Sequence, residues 1–124
     1  MTHVLVIDDS PTMRQLIAFA LSRLPECQVD TAEDGLAGFK KLIAGQYDLI
    51  VTELNMPVLD GQKLLRLVRG DPNHREVPVV IVTNETDEDS RQRMLDAGAA
   101  EYLCKPVQAP SIVAVVRKLI GSED

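Results

Sequence analysis

Short runs of apolar residues alternate with amphipathic segments along the chain. The continuous run Val4–Ile7 is too short for a helix and rich in β-branched residues, which is typical of a strand buried on both faces. Ser10 and Pro11 follow it, and they supply an N-cap oxygen and a preset first helical position. Apolar residues then recur at helical spacing, which predicts an amphipathic helix. Its predicted inner face consists of Met13, Leu16, Ile17, Ala20, Leu21 and Leu24.

The same unit of strand and helix repeats to the end of the sequence. The further predicted strands are Gln28 to Ala32, Leu49 to Thr52, Val79 to Val82 and Tyr102 to Cys104. The further predicted helices run from about Leu36 to Ala44, Gly61 to Arg69, Glu88 to Ala97 and Ser111 to Ile120. This alternation predicts an α/β fold in which a five-stranded parallel, doubly wound sheet lies between two layers of helices. Ligands of such sheets bind at the carboxyl ends of the strands.

Composition and charge narrow the possible functions. With 124 residues, 45% of them hydrophobic, we expect residues 1–124 to form a single domain without a separate output domain. The 13 basic and 19 acidic residues give a net charge of -6, which argues against direct nucleic acid binding and favours protein partners or cations. Since neither a basic leader nor a long apolar run is present, we expect a cytoplasmic protein without membrane insertion.

The two cysteines do not form a recognisable motif. Cys27 and Cys104 lie far apart in the sequence, with neither CxxC spacing nor the histidine pair that a zinc site would need. Both stand in largely apolar surroundings. We therefore predict two reduced, buried thiols.

Residues that could bind a ligand or take part in a reaction lie at the predicted strand ends. They are Asp8, Asp9, Glu53, Thr83, Asn84 and Lys105. Taken singly, each has an ordinary explanation, because acidic residues favour a helix N-terminus and a lone lysine is usually a solvated surface charge. Two like charges about 4 Å apart, however, repel by about 4 kcal/mol at an effective dielectric near 20, so three clustered carboxylates need a cation or raised pKa values. Oxygen ligands of this kind suit magnesium.

Four motifs carry a family resemblance that covers essentially the whole chain. They are Val-Leu-Val-Ile-Asp8-Asp9-Ser, Leu-Asn55-Met-Pro57-Val-Leu-Asp60-Gly61, Val-Ile-Val-Thr83 and Leu-Cys-Lys105-Pro106. With these motifs the chain resembles response-regulator receiver domains, and it is similar to the stand-alone chemotaxis regulators. The resemblance implies a flavodoxin-like (βα)5 fold, a role in two-component phosphorelay signalling and a bound Mg²⁺ or Mn²⁺ ion.

The resemblance also implies roles for the residues at the strand ends. Asp8 and Asp9 would bind the metal, with Asp9 as a direct ligand, assisted by Glu53 and by the backbone carbonyl of Asn55. Glu53 occupies the position of the family's phosphoacceptor aspartate, which is a departure from the pattern.

Further roles concern the switch and its surroundings. Thr83 would hydrogen-bond a phosphoryl oxygen, Lys105 would pair with its charge and Tyr102 would be the aromatic switch residue. The resemblance implies a cis peptide between Lys105 and Pro106. Asn84, Asn55 and Glu85 would modulate the pocket.

The glutamate changes the expected activity. One added methylene moves the carboxylate by up to about 1.5 Å, whereas productive sites tolerate about 0.5 Å of error, so we expect impaired phosphotransfer. The longer Glu53 side chain is expected to reach Lys105 or Thr83 and to imitate the active state partially. The otherwise intact pocket favours an engineered replacement of aspartate over a naturally silent receiver.

Two classes of function remain open. As a switch, the domain would receive its signal from a sensor histidine kinase or phosphotransfer protein and would not be an enzyme with a substrate of its own. It would meet its target through the face of the fourth helix, fifth strand and fifth helix, near Arg91, Gln92, Tyr102, Val107 and Val113. The alternative is a metal-dependent phosphatase or hydrolase on the same scaffold. Two features argue against that alternative. The sequence has no P-loop, and we do not expect His3 or His74 to lie near the acidic rim, which is the edge of the sheet that carries Asp8, Asp9 and Glu53.

Overall fold

A computed structural model describes residues 1–121 and contains a five-stranded parallel sheet. The strands lie in the order β2-β1-β3-β4-β5. Their bounds are β1 Thr2–Ile7, β2 Cys27–Ala32, β3 Leu49–Thr52, β4 Val79–Thr83 and β5 Glu101–Cys104. Because the order reverses beside β1, a crevice opens between the carboxyl ends of β1 and β3.

Five helices alternate with the strands and cover both faces of the sheet. Their bounds are α1 Pro11–Ser22, α2 Gly35–Ala44, α3 Gly61–Gly70, α4 Glu88–Asp96 and α5 Ala109–Ile120. Buried residues of α1 and α5 pack on one face, while those of α2, α3 and α4 pack on the other. The predicted doubly wound α/β fold is confirmed.

The continuous apolar runs follow from this layering. In β1, Leu5 and Ile7 belong to the core under α2, α3 and α4, whereas Val4 and Val6 belong to the core under α1 and α5. Successive side chains of a strand point to opposite faces, so a strand covered on both faces has no position for an exposed polar residue. The run Val4–Ile7 is accordingly at most 1% exposed.

Side-chain caps fix the helix starts just after the strand ends. The Ser10 hydroxyl accepts a hydrogen bond from the Met13 amide at 3.3 Å, and the Asp60 carboxylate accepts one from the Lys63 amide at 2.9 Å. Such caps satisfy amides that have no partner within the helix. The helix starts at the carboxyl edge of the sheet are therefore well defined.

Two sequence predictions about burial are wrong. Leu16 was placed on the inner face of α1 but is 37% exposed. The thiols of Cys27 and Cys104 are both free, yet Cys27 is half-buried and Cys104 is exposed. For the cysteines the physical reason is that they lie in β2 and β5, the two edge strands of the sheet, where a neighbouring strand covers one side only. Among residues 1–121, no helix is long and apolar enough to cross a membrane.

Candidate functional site

Three carboxylates meet at the crevice between β1 and β3. Asp8 and Asp9 follow β1 and Glu53 follows β3, and each offers one oxygen such that all three oxygens lie within 4.8 Å of one another. Asp8 is 1% exposed and Glu53 is 5% exposed, whereas Asp9 faces solvent. The site is thus a buried acidic floor with one open carboxylate at its edge.

Lys105 bridges the two buried carboxylates. Its ammonium nitrogen lies 2.8 Å from Glu53 Oε1 and 3.1 Å from Asp8 Oδ2, and its side chain is 8% exposed. Burial lowers the pKa of Lys105, but hydrogen bonds to Glu53 and Asp8 outweigh burial and hold that pKa above its ordinary value. The Lys105–Pro106 peptide bond is cis. The amine therefore stays charged and partly neutralises the acidic floor.

The second oxygen of Glu53 is bound by the protein's own loop. Glu53 Oε2 accepts hydrogen bonds from the amides of Leu54 at 2.6 Å and Asn55 at 3.0 Å. Gly61 allows the helix start to approach this loop closely, because a Cβ at Gly61 would lie only 2.7 Å from the backbone oxygen of Glu53. Both oxygens of the carboxylate are consequently engaged within the chain.

Asp8 retains one oxygen that can accept a cation. Its Oδ1 atom accepts hydrogen bonds from the Ser10 amide at 2.9 Å and from the Lys105 ammonium at 3.3 Å. Its buried Oδ2 atom has no hydrogen-bond partner and faces the charge of Lys105 at 3.1 Å. Burial raises the pKa of Asp8, as expected for a carboxylate in a dry, acidic site. A buried carboxylate oxygen without a hydrogen bond, beside the open carboxylate of Asp9, fits a divalent cation that prefers oxygen ligands.

Two of the predicted switch residues, Thr83 and Tyr102, meet at Glu85, whereas the third, Lys105, contacts Glu53. The fully buried Thr83 hydroxyl accepts a hydrogen bond from the Glu85 amide at 3.2 Å. Tyr102 is 6% exposed and donates its hydroxyl proton to the Glu85 backbone oxygen at 2.8 Å. Burial is the largest cause of the raised pKa of Tyr102. Within residues 1–121, Glu53 contacts Lys105 but makes no hydrogen bond to Thr83.

The residues predicted to modulate the pocket lie at its edges. Asn55 and Asn84 are exposed in the loops after β3 and β4, and Glu85 is half-buried. Only the Asn55 amide touches the acidic floor, through Glu53. Their modulating roles stay predictions.

The structure adds one residue that the sequence interpretation missed. The Arg14 guanidinium in the first turn of α1 donates a hydrogen bond to the backbone oxygen of Asp8 at 2.7 Å. It therefore braces the turn that presents both aspartates. The sequence feature that could have indicated this role is the position of Arg14, six residues after Asp8 and one helical turn after the N-cap residue Ser10.

The histidines belong to a separate network at the other end of the sheet. His3 Nε2 lies 2.8 Å from Asp30, which also accepts the hydroxyl proton of Tyr47 at 2.7 Å. His74 contacts Asp71 at 2.7 Å and accepts a hydrogen bond from the Tyr47 amide at 3.2 Å. As expected, neither histidine contacts the acidic rim.

Comparisons with known proteins agree with this geometry. Residues 4–117 match the family described as response regulator receiver domain. The chain is 34% identical to chemotaxis protein CheY1 of Helicobacter pylori over 98% of both proteins. It is 36% identical to hybrid signal transduction histidine kinase D of Dictyostelium discoideum, but it spans only 7% of the length of that kinase, against 94% of its own.

A solved structure extends the comparison to the metal. It is the receiver domain of a sensor histidine kinase from Pseudomonas aeruginosa with a magnesium ion coordinated in its active-site cleft. That domain superposes with a TM-score of 0.86 at 29% identity and covers 98% of each chain.

Proposed function

The chain belongs to the response regulator receiver domain family, and from this we propose that it is a signalling switch whose phosphoacceptor position is held by Glu53. In this proposal a sensor histidine kinase or phosphotransfer protein is the upstream partner. A downstream protein meets the face formed by α4, β5 and α5. The domain has no separate substrate to turn over.

One observation supports the impaired phosphotransfer more than any other. Both oxygens of Glu53 are engaged, one by Lys105 at 2.8 Å and the other by the loop amides of Leu54 and Asn55. A nucleophilic carboxylate must present a free oxygen in line with the incoming phosphorus, and misplacement by about 1 Å costs on the order of a hundredfold in rate. Glu53 therefore acts as an internal ligand of Lys105 instead of as an acceptor.

The metal site is the second part of the proposal. Asp8 and Asp9, with the Asn55 carbonyl, would hold Mg²⁺ or Mn²⁺, whose charge offsets that of a phosphoryl group. The chain's own contribution is to leave the Asp8 Oδ2 atom without a hydrogen bond, with only the Lys105 ammonium beside it, and to keep the Asp9 carboxylate open to solvent. Magnesium in the related receiver domain supports this assignment.

We expect Glu53 to imitate the active state only partially. A hydrogen bond to a charged group contributes about 1.5 to 3 kcal/mol, whereas about 5.5 kcal/mol is needed to move a switch from 1:99 to 99:1. Glu53 engages Lys105 but leaves the Thr83 hydroxyl on the Glu85 amide. Of the two residues that Glu53 was expected to reach, Lys105 is contacted and Thr83 is not.

Labelling with acetyl phosphate tests this proposal. In Mg²⁺, intact-mass spectrometry should show a covalent phosphoryl group on the Glu53→Asp variant at a rate about a hundredfold above that of the wild type. Glu76→Asp makes the same chemical change at an exposed position and should behave like the wild type. Equal labelling of the wild type and Glu53→Asp would contradict the proposal. Asp9→Asn, added to Glu53→Asp, should abolish labelling.

The alternative function, a metal-dependent hydrolase, is suggested by the cluster of three carboxylates. Generic phosphoester substrates separate the two functions, since repeated turnover by the wild type in Mg²⁺ would favour the enzyme. We expect no turnover, because Lys105 and the loop amides of Leu54 and Asn55 engage both oxygens of Glu53, the buried carboxylate that would have to serve as the nucleophile.

A further inference from the structure

Helices α2 and α3 expose aliphatic side chains on the side of the sheet opposite to α1 and α5. Leu36 and Ile43 on α2 are 47% and 60% exposed, and Leu67 on α3 is 39% exposed. Leu36 and Ile43 are seven residues apart, and positions i and i+7 lie on the same side of a helix. Because α2 packs beside α3, the three aliphatic side chains belong to one solvent-facing surface.

Exposed cations are interleaved with these aliphatic residues. Lys40 lies on α2, one turn after Leu36, and Lys63 and Arg66 lie on α3, within one turn of Leu67. Within residues 1–121, none of the three cations forms a salt bridge. We call this surface the α2–α3 face, and it consists of Leu36, Lys40, Ile43, Lys63, Arg66 and Leu67.

The α2–α3 face is positively charged on a negatively charged protein. The two helices contain five basic residues and no acidic one, although the chain has a net charge of -6. The carboxylates that precede them, Asp34 and Asp60, lie at the helix N-termini and accept hydrogen bonds from the amides of Ala37 at 2.7 Å and Lys63 at 2.9 Å. These carboxylates therefore serve the helix starts, and the outer turns of both helices carry only positive charge.

We propose that the α2–α3 face binds the surface of a lipid bilayer that contains anionic phospholipids. Its aliphatic side chains would enter the boundary between headgroups and acyl chains, while its cations pair with headgroup phosphates. Lysine and arginine suit this position, because their long stems lie along apolar surface while the charged end stays in the polar layer. Binding in this orientation turns α1 and α5 away from the membrane, since they cover the opposite side of the sheet.

The composition of the α2–α3 face favours a lipid surface over a protein partner. Protein interfaces are enriched in aromatic residues and methionine and depleted of lysine. The α2–α3 face has neither an aromatic residue nor a methionine, and two of its three cations are lysines. A second copy of the chain is also a poor partner, because a two-fold dimer would bring the cations of both copies together.

Vesicle flotation tests the proposal. The wild-type protein is mixed with vesicles of phosphatidylcholine alone, or of phosphatidylcholine and phosphatidylglycerol in equal amounts. A chelator is present, so that no divalent cation bridges the acidic rim to the lipid. Each cation near an anionic surface contributes about a fivefold gain in affinity, and the net charge of the chain opposes part of it, so the anionic vesicles should bind about tenfold more tightly or better. Equal binding to both vesicles, or binding to neither, would overturn the proposal.

Charge-reversal variants locate the binding site. Lys40→Glu with Arg66→Glu should abolish the preference for anionic vesicles. Arg23→Glu with Lys118→Glu is the matched control, because it changes the net charge by the same amount at exposed positions of α5 and the end of α1. The control should keep the preference for anionic vesicles, apart from a uniform loss due to its net charge. An equal loss in both double variants would overturn the proposal.

The aliphatic residues are tested in the same way. Leu36→Ser with Ile43→Ser should weaken binding to anionic vesicles by about tenfold, since two exposed apolar side chains no longer enter the bilayer. Phe19→Ser on α1 is the control and should bind like the wild type, because Phe19 is 64% exposed on the opposite side of the sheet. Soluble polyglutamate that binds the α2–α3 face more tightly than the anionic vesicles do would indicate an acidic protein partner and overturn the proposal.

Discussion

Replacing Lys105 by methionine should destabilise the domain, because it leaves two buried carboxylates without the cation they share. At an effective dielectric near 20, the 2.8 Å approach of Lys105 to Glu53 corresponds to an attraction of about 6 kcal/mol before desolvation is subtracted. Removing one partner of a buried ion pair costs about 3 to 5 kcal/mol, because the other charge is left buried and unpaired. Since Glu53 keeps its two amide hydrogen bonds, we expect a loss of about 3 kcal/mol for Lys105→Met.

Urea unfolding followed by circular dichroism measures this loss, once with a chelator and once with excess Mg²⁺. The ion should restore part of the free energy of unfolding, because a bound cation takes over the neutralisation of Asp8 and Glu53 and stabilises only the folded state. Lys118→Met is the control. The Lys118 side chain is 71% exposed and lies 3.1 Å from Glu101, so its removal should cost less than about 1 kcal/mol.

Two outcomes would refute the claim that Lys105 and a bound cation neutralise the same buried carboxylates. If Lys105→Met is as stable as the wild type in chelator, the lysine does not neutralise the two buried carboxylates. If Mg²⁺ stabilises the wild type and Lys105→Met equally, the ion and the amine do not share the same acidic floor.

Three further changes test separate parts of the structure. Asp9→Asn should weaken Mg²⁺ binding, measured by calorimetry, by about tenfold or more, because ligand charge sets affinity at such sites; unchanged affinity would remove Asp9 from the ligand set. Tyr47→Phe deletes the hydrogen bond that is the main cause of the lowered pKa of Asp30. A lowered carboxyl pKa stabilises the folded state at pH values above the ordinary pKa of 3.8, and this stabilisation is lost as the pH falls through the folded-state pKa. The variant should thus lose stability against the wild type at neutral pH, by about 1 kcal/mol, and less in strong acid; a loss independent of pH would contradict this. Gly38→Ala should cost about 1 to 3 kcal/mol in urea unfolding, since its Cβ would clash with the Ile7 side chain, and a neutral result would show that the core yields there.

The fold was predictable because its signals are local. The apolar run Val4–Ile7 and the pair Ser10-Pro11 each specify a strand or a helix start without reference to distant residues. Burial at the margins was not predictable. Cys27 begins β2 and Cys104 ends β5, and the sequence does not state that these two strands form the edges of the sheet.

The candidate site was predictable as a set of residues but not as a set of bonds. The parallel topology brings the carboxyl ends of β1 and β3 together, which placed Asp8 and Glu53 correctly side by side. Whether Glu53 would meet Lys105 or Thr83 depends on loop geometry, because the Leu54 amide turns one carboxylate oxygen inward and leaves the other for the lysine. Such backbone detail has no counterpart in residue types or spacing.

A crystal structure of the protein grown with Mg²⁺ tests most directly whether this is a receiver site with an engaged glutamate. We expect an ion held by Asp8 and Asp9, with Glu53 Oε1 still bound to Lys105. An acidic rim without an ion at saturating Mg²⁺, or a Glu53 carboxylate released from both Lys105 and the loop amides, would contradict that expectation.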